Sequence, residues 1–221
     1  MAGTHHLALA VGLASEGTGY AVVQTVSGVI GAAGGSYAAY CTTGGSCKGT
    51  FNANPTNGHA VKYDFPSEYD YIENFGELHN QDLNSSYMSE TAIPEIDWIG
   101  QNIPNVNTID YNLLYSSEEF QQLRDKINEI SNNYKNSNYD YVKMLDEYKE
   151  ANLMTSDTYD ILNLYFSATM KSESFDEYQA ITDYYVQQVI QSNLSPDDKK
   201  ALFACFSVSI QSYYYWLNLE I

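Results

Sequence analysis

Apolar side chains recur at helical spacing through the last two thirds of the chain. Phe120, Leu123, Ile127 and Ile130, for example, fall on one face of a helix. The same periodicity predicts helices at about 117–132, 139–151, 156–170, 174–192 and 196–219. A further helical face that begins at Ser67 carries Ile72, Phe75, His79 and Leu83. Short connections favour antiparallel neighbours, so residues 67–221 are predicted to form an acidic all-α domain, an irregular helical bundle or stacked helical hairpins.

Hydroxyl and carboxylate side chains mark where these helices should begin. Ser116 with Glu119 and Ser174 with Glu177 have the spacing of capping boxes, in which the hydroxyl and the carboxylate each accept a backbone N–H. Ser156 is predicted to cap another helix. Ser195 is followed by a proline and two aspartates, which suit the first turn of the last helix.

Residues 1–47 differ from the rest, because Glu16 is their only charged residue and Gly, Ala, Ser, Thr and Val dominate. Ser27, Gly31, Gly35 and Ala39 recur every fourth residue, which on a helix gives a flat stripe for packing against another helix. This glycine-zipper interpretation competes with a loosely ordered Gly/Ala segment, since glycine disfavours helix by about 1 kcal/mol relative to alanine. Residues 48–66 show no sustained period and are interpreted as a linker.

The same segment raises the question of membranes and export. Residues 17–47 are uncharged and long enough to span a bilayer, but their many Gly, Ser and Thr make a weak hydropathy signal. No Lys or Arg precedes the apolar run, so a secretory signal with a basic head is missing, and an exported protein would be present here in trimmed form. A membrane is therefore a possible partner of this segment only.

The formal charge of −18 arises from 28 acidic and 10 basic side chains. Such a field opposes binding to phosphate backbones, so nucleic acid is excluded as a partner class. The three cysteines are too few for a disulfide scaffold. Cys41 and Cys47 could be bridged or free, whereas Cys205 lies in an apolar helical pattern and should pack as a small hydrophobe.

Catalytic, cofactor and metal motifs are missing from the sequence. It contains no H-E-x-x-H, G-x-S-x-G, helix-opening G-x-G-x-x-G or calcium loop, so no catalytic residue, cofactor or metal site is predicted. His79 lies on an apolar helix face near Glu77 and Asp82. It could act as a general base, but no nucleophile has a matching spacing, which favours a half-buried structural histidine.

Tyrosines are concentrated in the last third of the chain. A ligand-binding surface for a peptide or glycan could be formed by Tyr184, Tyr185, Tyr213, Tyr214, Tyr215 and Trp216. Aromatic rings provide large contact areas at low entropic cost. The alternative is core packing with hydroxyl groups that reach solvent.

The stretch YDYIENFGELHNQDL, from Tyr69 to Leu83, contains an aromatic residue followed by G-E-L-H-N-x-x-L. It resembles a motif of uncharacterised secreted or cell-envelope proteins of gut Bacteroidota and Firmicutes, in which a Gly/Ala zipper segment often comes first. The motif residues here include His79 and Asn80. The resemblance implies a loose association with exported bacteriocin-like peptides and implies no catalytic residue.

Three functional hypotheses follow. The first is a non-enzymatic, exported bacterial protein whose helical domain mediates binding and whose zipper segment packs on a partner helix, on itself or in a membrane. The second is a helical module that binds a peptide or glycan through its Tyr-rich C-terminal helices. The third is a hydrolase centred on His79. The oligomeric state does not follow from the sequence.

Overall fold

The computed structural model describes residues 61, 63, 65–73, 75–77, 79–80 and 118–217. In these ranges every regular element is helical and no strand occurs. The all-α prediction is therefore confirmed for the described part of the chain. The glycine-zipper segment, with Ser27, Gly31, Gly35 and Ala39, lies outside the described residues.

The helical elements follow each other closely along the chain. A 3-10 helix, Ser67–Ile72, is followed by helical residues at 75–77 and 79–80. The longer helices are α1 (Glu118–Asn136), α2 (Tyr141–Glu150), α3 (Ser156–Thr169), α4 (Phe175–Gln191) and α5 (Pro196–Leu217). These bounds agree with the five predicted helices to within a few residues.

Each helix packs against the next one in the chain, from α1 through α5. The connections have only four or five residues, so consecutive helices run antiparallel and form hairpins. Helix α5 also packs against α3 and against the 3-10 helix. It therefore occupies the centre of the described fold, with helices of the domain on one side and residues 61–80 on another.

Two of the predicted helix starts are confirmed, Ser174 and Ser195, although the Glu177 carboxylate accepts the N–H of Glu173 rather than that of Ser174. The Ser174 hydroxyl accepts the backbone N–H of Glu177 at 3.2 Å, and the Ser195 hydroxyl accepts that of Asp198 at 3.1 Å. Helix α3 differs by one residue, since Thr155 rather than Ser156 is its N-cap. The predicted box of Ser116 and Glu119 depends on a residue outside the described ranges.

Asparagine ends two of the helices. Asn138 and Asn152 have positive φ angles of 59° and 56°. After α2, the N–H of Leu153 bonds the carbonyl of Tyr148 and that of Asn152 bonds the carbonyl of Lys149, the pattern of a Schellman motif. The predicted end of α1 near Asn132 and Asn133 was wrong by one turn. The buried ring of Tyr134 extends the packed face, and the asparagine stop comes only at Asn138.

Packing begins before Ser67. In the predicted linker, the rings of Tyr63 and Phe65 are buried and stack with centroids 4.9 Å apart. Phe65 also contacts the ring of Phe203 in α5 at 4.6 Å. The helix begins at Ser67, as predicted, but as a 3-10 helix, and Pro66 at its N-cap position makes no side-chain cap bond. The packed region therefore extends at least as far as these two aromatic rings.

Candidate functional site

Helix α5 is enclosed on all sides over residues 201–213, each of which is buried. This run contains no charged residue but includes Ser207, Ser209, Gln211 and Ser212. A buried polar side chain is costly unless it is hydrogen-bonded. The partners of these polar groups therefore identify the contacts that α5 requires.

Gly76 makes the closest of these contacts. Its N–H donates to the Ser207 hydroxyl at 3.1 Å, and that hydroxyl donates to the carbonyl of Glu73 at 2.9 Å. A Cβ on Gly76 would collide with the backbone oxygen of Ser207 and would lie 2.6 Å from the Cβ of Gln211. Only glycine allows the two backbones this approach. We call the contact of residues 73–80 with Ser207 and Gln211 the α5 clasp.

His79 and Asn80, the two motif residues predicted from the sequence, complete the clasp. The Asn80 amide nitrogen donates to the carbonyl of Gln211 at 2.9 Å, which turns its amide oxygen towards the His79 Nδ1 at 3.2 Å. The His79 ring is only 2% exposed, and its Nε2 has no hydrogen-bond partner. Burial lowers the pKa of His79 to about 4, although the hydrogen bond to Asn80 acts to raise it. The histidine is thus a neutral, buried group, more deeply enclosed than the half-buried residue expected.

Aromatic rings support the clasp from the N-terminal side. Phe203 contacts Phe65 and also Tyr69, the latter at 5.1 Å. The Tyr63 hydroxyl donates to the Ser207 carbonyl at 3.4 Å. Its pKa is raised by burial, and further by the nearby Tyr178, Asp183 and Glu73. The segment of residues 61–80 therefore contacts α5 through rings at one end and through polar groups at the other.

A second set of buried hydroxyl groups joins α3, α4 and α5. Tyr178 and Ser209 share a hydrogen bond of 2.6 Å, and Tyr165 and Thr182 share one of 3.1 Å. The Tyr178 ring also stacks on Tyr213 at 4.2 Å. Burial raises the pKa of Tyr178 to about 12, although hydrogen bonds from Ser209 and Tyr165 oppose the shift. These contacts fix the relative positions of the three helices.

The six predicted ligand-binding aromatics have different environments. Tyr184 is 59% exposed. Tyr185 is partly buried and contacts Tyr165 and Phe206. Tyr213 is completely buried, so it packs in the core, while Tyr214 is partly buried against Phe175. The side chains of Tyr215 and Trp216 lie outside the described part of the structure. The ligand-binding role of this set stays a prediction.

The α3–α4 hairpin exposes a second large apolar side chain besides Tyr184, and this one was not found from the sequence. Leu164 of α3 is 61% exposed, comparable with Tyr184 of α4. Each directly precedes one member of the Tyr165–Tyr185 ring pair, whose centroids are 5.5 Å apart. Leu164 and Tyr184 therefore lie at the same level of two adjacent helices. The signal that could have identified Leu164 is its position off the apolar stripe of α3.

Other sequence predictions have mixed outcomes. Cys205 is buried, and burial raises the pKa of its thiol, so its expected role as a small hydrophobe is confirmed. Cys41 and Cys47 lie outside the described residues. In the described ranges no cluster of His, Cys, Asp or Glu could hold a metal ion. Among the described helices, none is both long and apolar enough to cross a bilayer.

Comparison with known proteins adds no further assignment: no protein-family model, curated protein or solved structure matches this chain.

Proposed function

We propose that the chain is a non-enzymatic, exported bacterial binding protein whose acidic helical domain holds a protein partner on the outer face of α3 and α4. The observation that carries the proposal is the pair of exposed apolar side chains, Leu164 and Tyr184, at one level of the hairpin. Apolar groups exposed side by side are typical of interaction surfaces. An exposed tyrosine adds a large, rigid contact area with a polar edge.

Charge indicates the chemistry of the partner. Between residues 156 and 191 the hairpin carries six acidic side chains and one basic one: Asp157, Asp160, Glu173, Asp176, Glu177, Asp183 and Lys171. Asp160 precedes Leu164 by one helical turn, so these two residues share a face. A basic segment with apolar side chains would complement this surface in both charge and hydrophobicity.

A short amphipathic peptide of Lys and Leu provides a direct probe. We expect it to bind the full chain, and we expect added salt to weaken binding because the charges are exposed. Leu164→Ser and Tyr184→Ser should each weaken binding about ten-fold, equivalent to about 1.4 kcal/mol. Isothermal titration calorimetry measures both effects.

Val142→Ser in α2 is the matched control, because Val142 is exposed but lies on another hairpin. It should leave peptide binding unchanged. A Glu–Leu peptide of the same pattern should not bind. Equal affinity of the wild type and of the Leu164 and Tyr184 variants for the basic peptide would exclude this surface.

The alternative is a helical module that binds a peptide or glycan through its Tyr-rich C-terminal helices. The exposed ring of Tyr184 favours it, since sugars stack on such rings. The glycan alternative would be supported over a basic protein partner if neutral oligosaccharides bind and added salt does not weaken that binding. The binding should also be lost in Tyr184→Ser but kept in Leu164→Ser.

The zipper segment is proposed to pack on a partner helix, on itself or in a membrane through residues 17–47. This part of the proposal rests on the spacing of Ser27, Gly31, Gly35 and Ala39 alone. Vesicle co-flotation of the full chain, compared with a Gly31→Leu/Gly35→Leu variant, tests it. If the wild type neither floats with vesicles nor self-associates, membrane and self-packing roles are excluded.

A further inference from the structure

His79 is a buried titratable group for which the proposed binding surface has no use. The Asn80 amide nitrogen is engaged by the Gln211 carbonyl, so the amide oxygen faces His79 and the ring proton lies on Nδ1. The buried Nε2 is then a lone-pair acceptor without a donor. Protonation would convert it into a buried N–H without an acceptor and would place a positive charge in the interior.

Among the described residues, the groups around the clasp do not offset that charge. The clasp residues 73–80 carry the carboxyl groups of Glu73 and Glu77, and Asp64, Glu68 and Asp70 come earlier in the same segment. On α5 the clasp residues Ser207 and Gln211 are uncharged, and Asp183 of α4 acts on Tyr63. For His79 the influences in the described residues are burial and the Asn80 hydrogen bond, and no carboxylate is among them.

We propose that His79 is an acid-sensitive latch, whose protonation releases residues 61–80 from α5 while α1–α4 remain folded. Among the described helices, the 3-10 helix of this segment packs chiefly against α5, so its release leaves the contacts among α1–α4 in place. The hairpins retain their own contacts, such as the Tyr165–Thr182 hydrogen bond. Release would expose Phe203 and the Ser207 hydroxyl of α5.

The direction of the effect follows from proton uptake. The pKa of His79 is about 4 when docked and 6.5 in its ordinary state, so the released segment binds the additional proton between these values. Docking is therefore fully favoured above about pH 6.5 and weakens as the pH falls towards 4. These two values imply that the ratio of released to docked segment rises about 20-fold between about pH 7 and pH 5.

Hydrogen exchange on the full chain tests the latch. Protection of amides in residues 65–80, corrected for intrinsic exchange and divided by that of α3, should fall about 20-fold over this pH range. In His79→Gln, whose side chain is uncharged, the ratio should be independent of pH. Glu68→Gln and Asp70→Asn, which remove exposed carboxylates of the same segment outside the clasp, are matched controls and should retain the wild-type pH dependence.

Nuclear magnetic resonance of the wild-type His79 ring supplies a measurement that does not depend on a variant folding. The docked ring should stay neutral and protonated on Nδ1 at pH 6. Titration of a docked His79 at its ordinary pKa would overturn the proposal. So would an unchanged protection ratio in the wild type, or an equal fall in His79→Gln.

Discussion

Gly76 lies where a helical turn and α5 come closer than any side chain would allow. Its N–H reaches the Ser207 hydroxyl, and the backbone oxygen of Ser207 occupies the space that a Cβ would need. In an open helix, alanine would be preferred to glycine by about 1 kcal/mol. At this position the contact reverses that preference.

Gly76→Ala should therefore destabilise the protein, by about 2 kcal/mol, because the added methyl group must push the two backbones apart. Chemical denaturation measures the change in the free energy of unfolding. Combining it with Gln211→Ala should not restore stability, since the obstructing atom of Ser207 belongs to the backbone. A stabilised Gly76→Ala protein would show that the clasp is not formed.

The Tyr178 hydroxyl offers a second test at this scale. Tyr178→Phe removes the buried 2.6 Å hydrogen bond to the Ser209 hydroxyl and should cost about 1–2 kcal/mol. The double variant Tyr178→Phe/Ser209→Ala should be less destabilised than the sum of the two single variants. Strict additivity in denaturation experiments would mean that the hydrogen bond is absent.

At the scale of helices, much of the architecture could be predicted, because local signals specify it. Apolar stripes and hydroxyl caps located α1–α5 to within a few residues, and Ser174 and Ser195 cap as expected. The end of α1 was missed, since the buried Tyr134 continues its packed face and the left-handed residues come only at Asn138 and Tyr139. Helix ends thus depended on tertiary contacts more than helix starts did.

Asn152 in the Schellman motif after α2 can be tested by paired substitutions. Asn152→Val should lower the free energy of unfolding by about 1–2 kcal/mol, because a β-branched residue resists a φ of 56°. Asn152→Gly should be neutral or slightly stabilising, because glycine accepts this conformation. Equal effects of the two substitutions would contradict the left-handed conformation.

Asp198 links the starts of α3 and α5. Its carboxylate accepts hydrogen bonds from the hydroxyls of Ser195, Thr155 and Thr158 at 2.6 to 2.8 Å. Burial alone would raise its pKa, but these bonds outweigh burial and lower it. The stability from this carboxylate is therefore present above its ordinary pKa of 3.8 and is lost as the pH falls through the lowered value.

Asp198→Asn should cost about 1–2 kcal/mol at neutral pH, because one carboxylate oxygen that accepted a hydrogen bond becomes an amide donor. Asp197→Asn is the matched control, since Asp197 is exposed in the same first turn and should change stability by less than about 0.5 kcal/mol. Thermal unfolding compares the two variants, and equal losses would exclude the carboxylate link.

At the scale of the whole molecule, the central place of α5 could not be inferred by searching for one apolar stripe. Between residues 201 and 213 the helix has no charged residue, so it has no face that prefers water. That composition was a usable signal of a fully buried helix. The docking of Gly76 and Asn80 on residues 131 positions later had no local signal at all.

This long separation in sequence also explains why the candidate site residues were predicted with different success. His79 and Asn80 were identified by a motif, but their role in holding α5 depends on a long-range contact. Tyr213 belongs to the aromatic cluster in the sequence, yet it is buried because its neighbours on α4 cover it. Leu164 is exposed because it lies opposite the core face of α3, and sequence periodicity alone does not say which exposed residues form a patch.

The most direct test of this account is nuclear Overhauser spectroscopy on the full chain at neutral pH. Ring protons of Phe203 should show contacts to Phe65 and Tyr69, whose centroids lie 4.6 Å and 5.1 Å away. The stacked pair of Tyr178 and Tyr213 serves as an internal reference within the domain. The docking of the N-terminal segment on α5 would be contradicted if the Overhauser contacts between Tyr178 and Tyr213 are present but none joins Phe203 to residues 65–69.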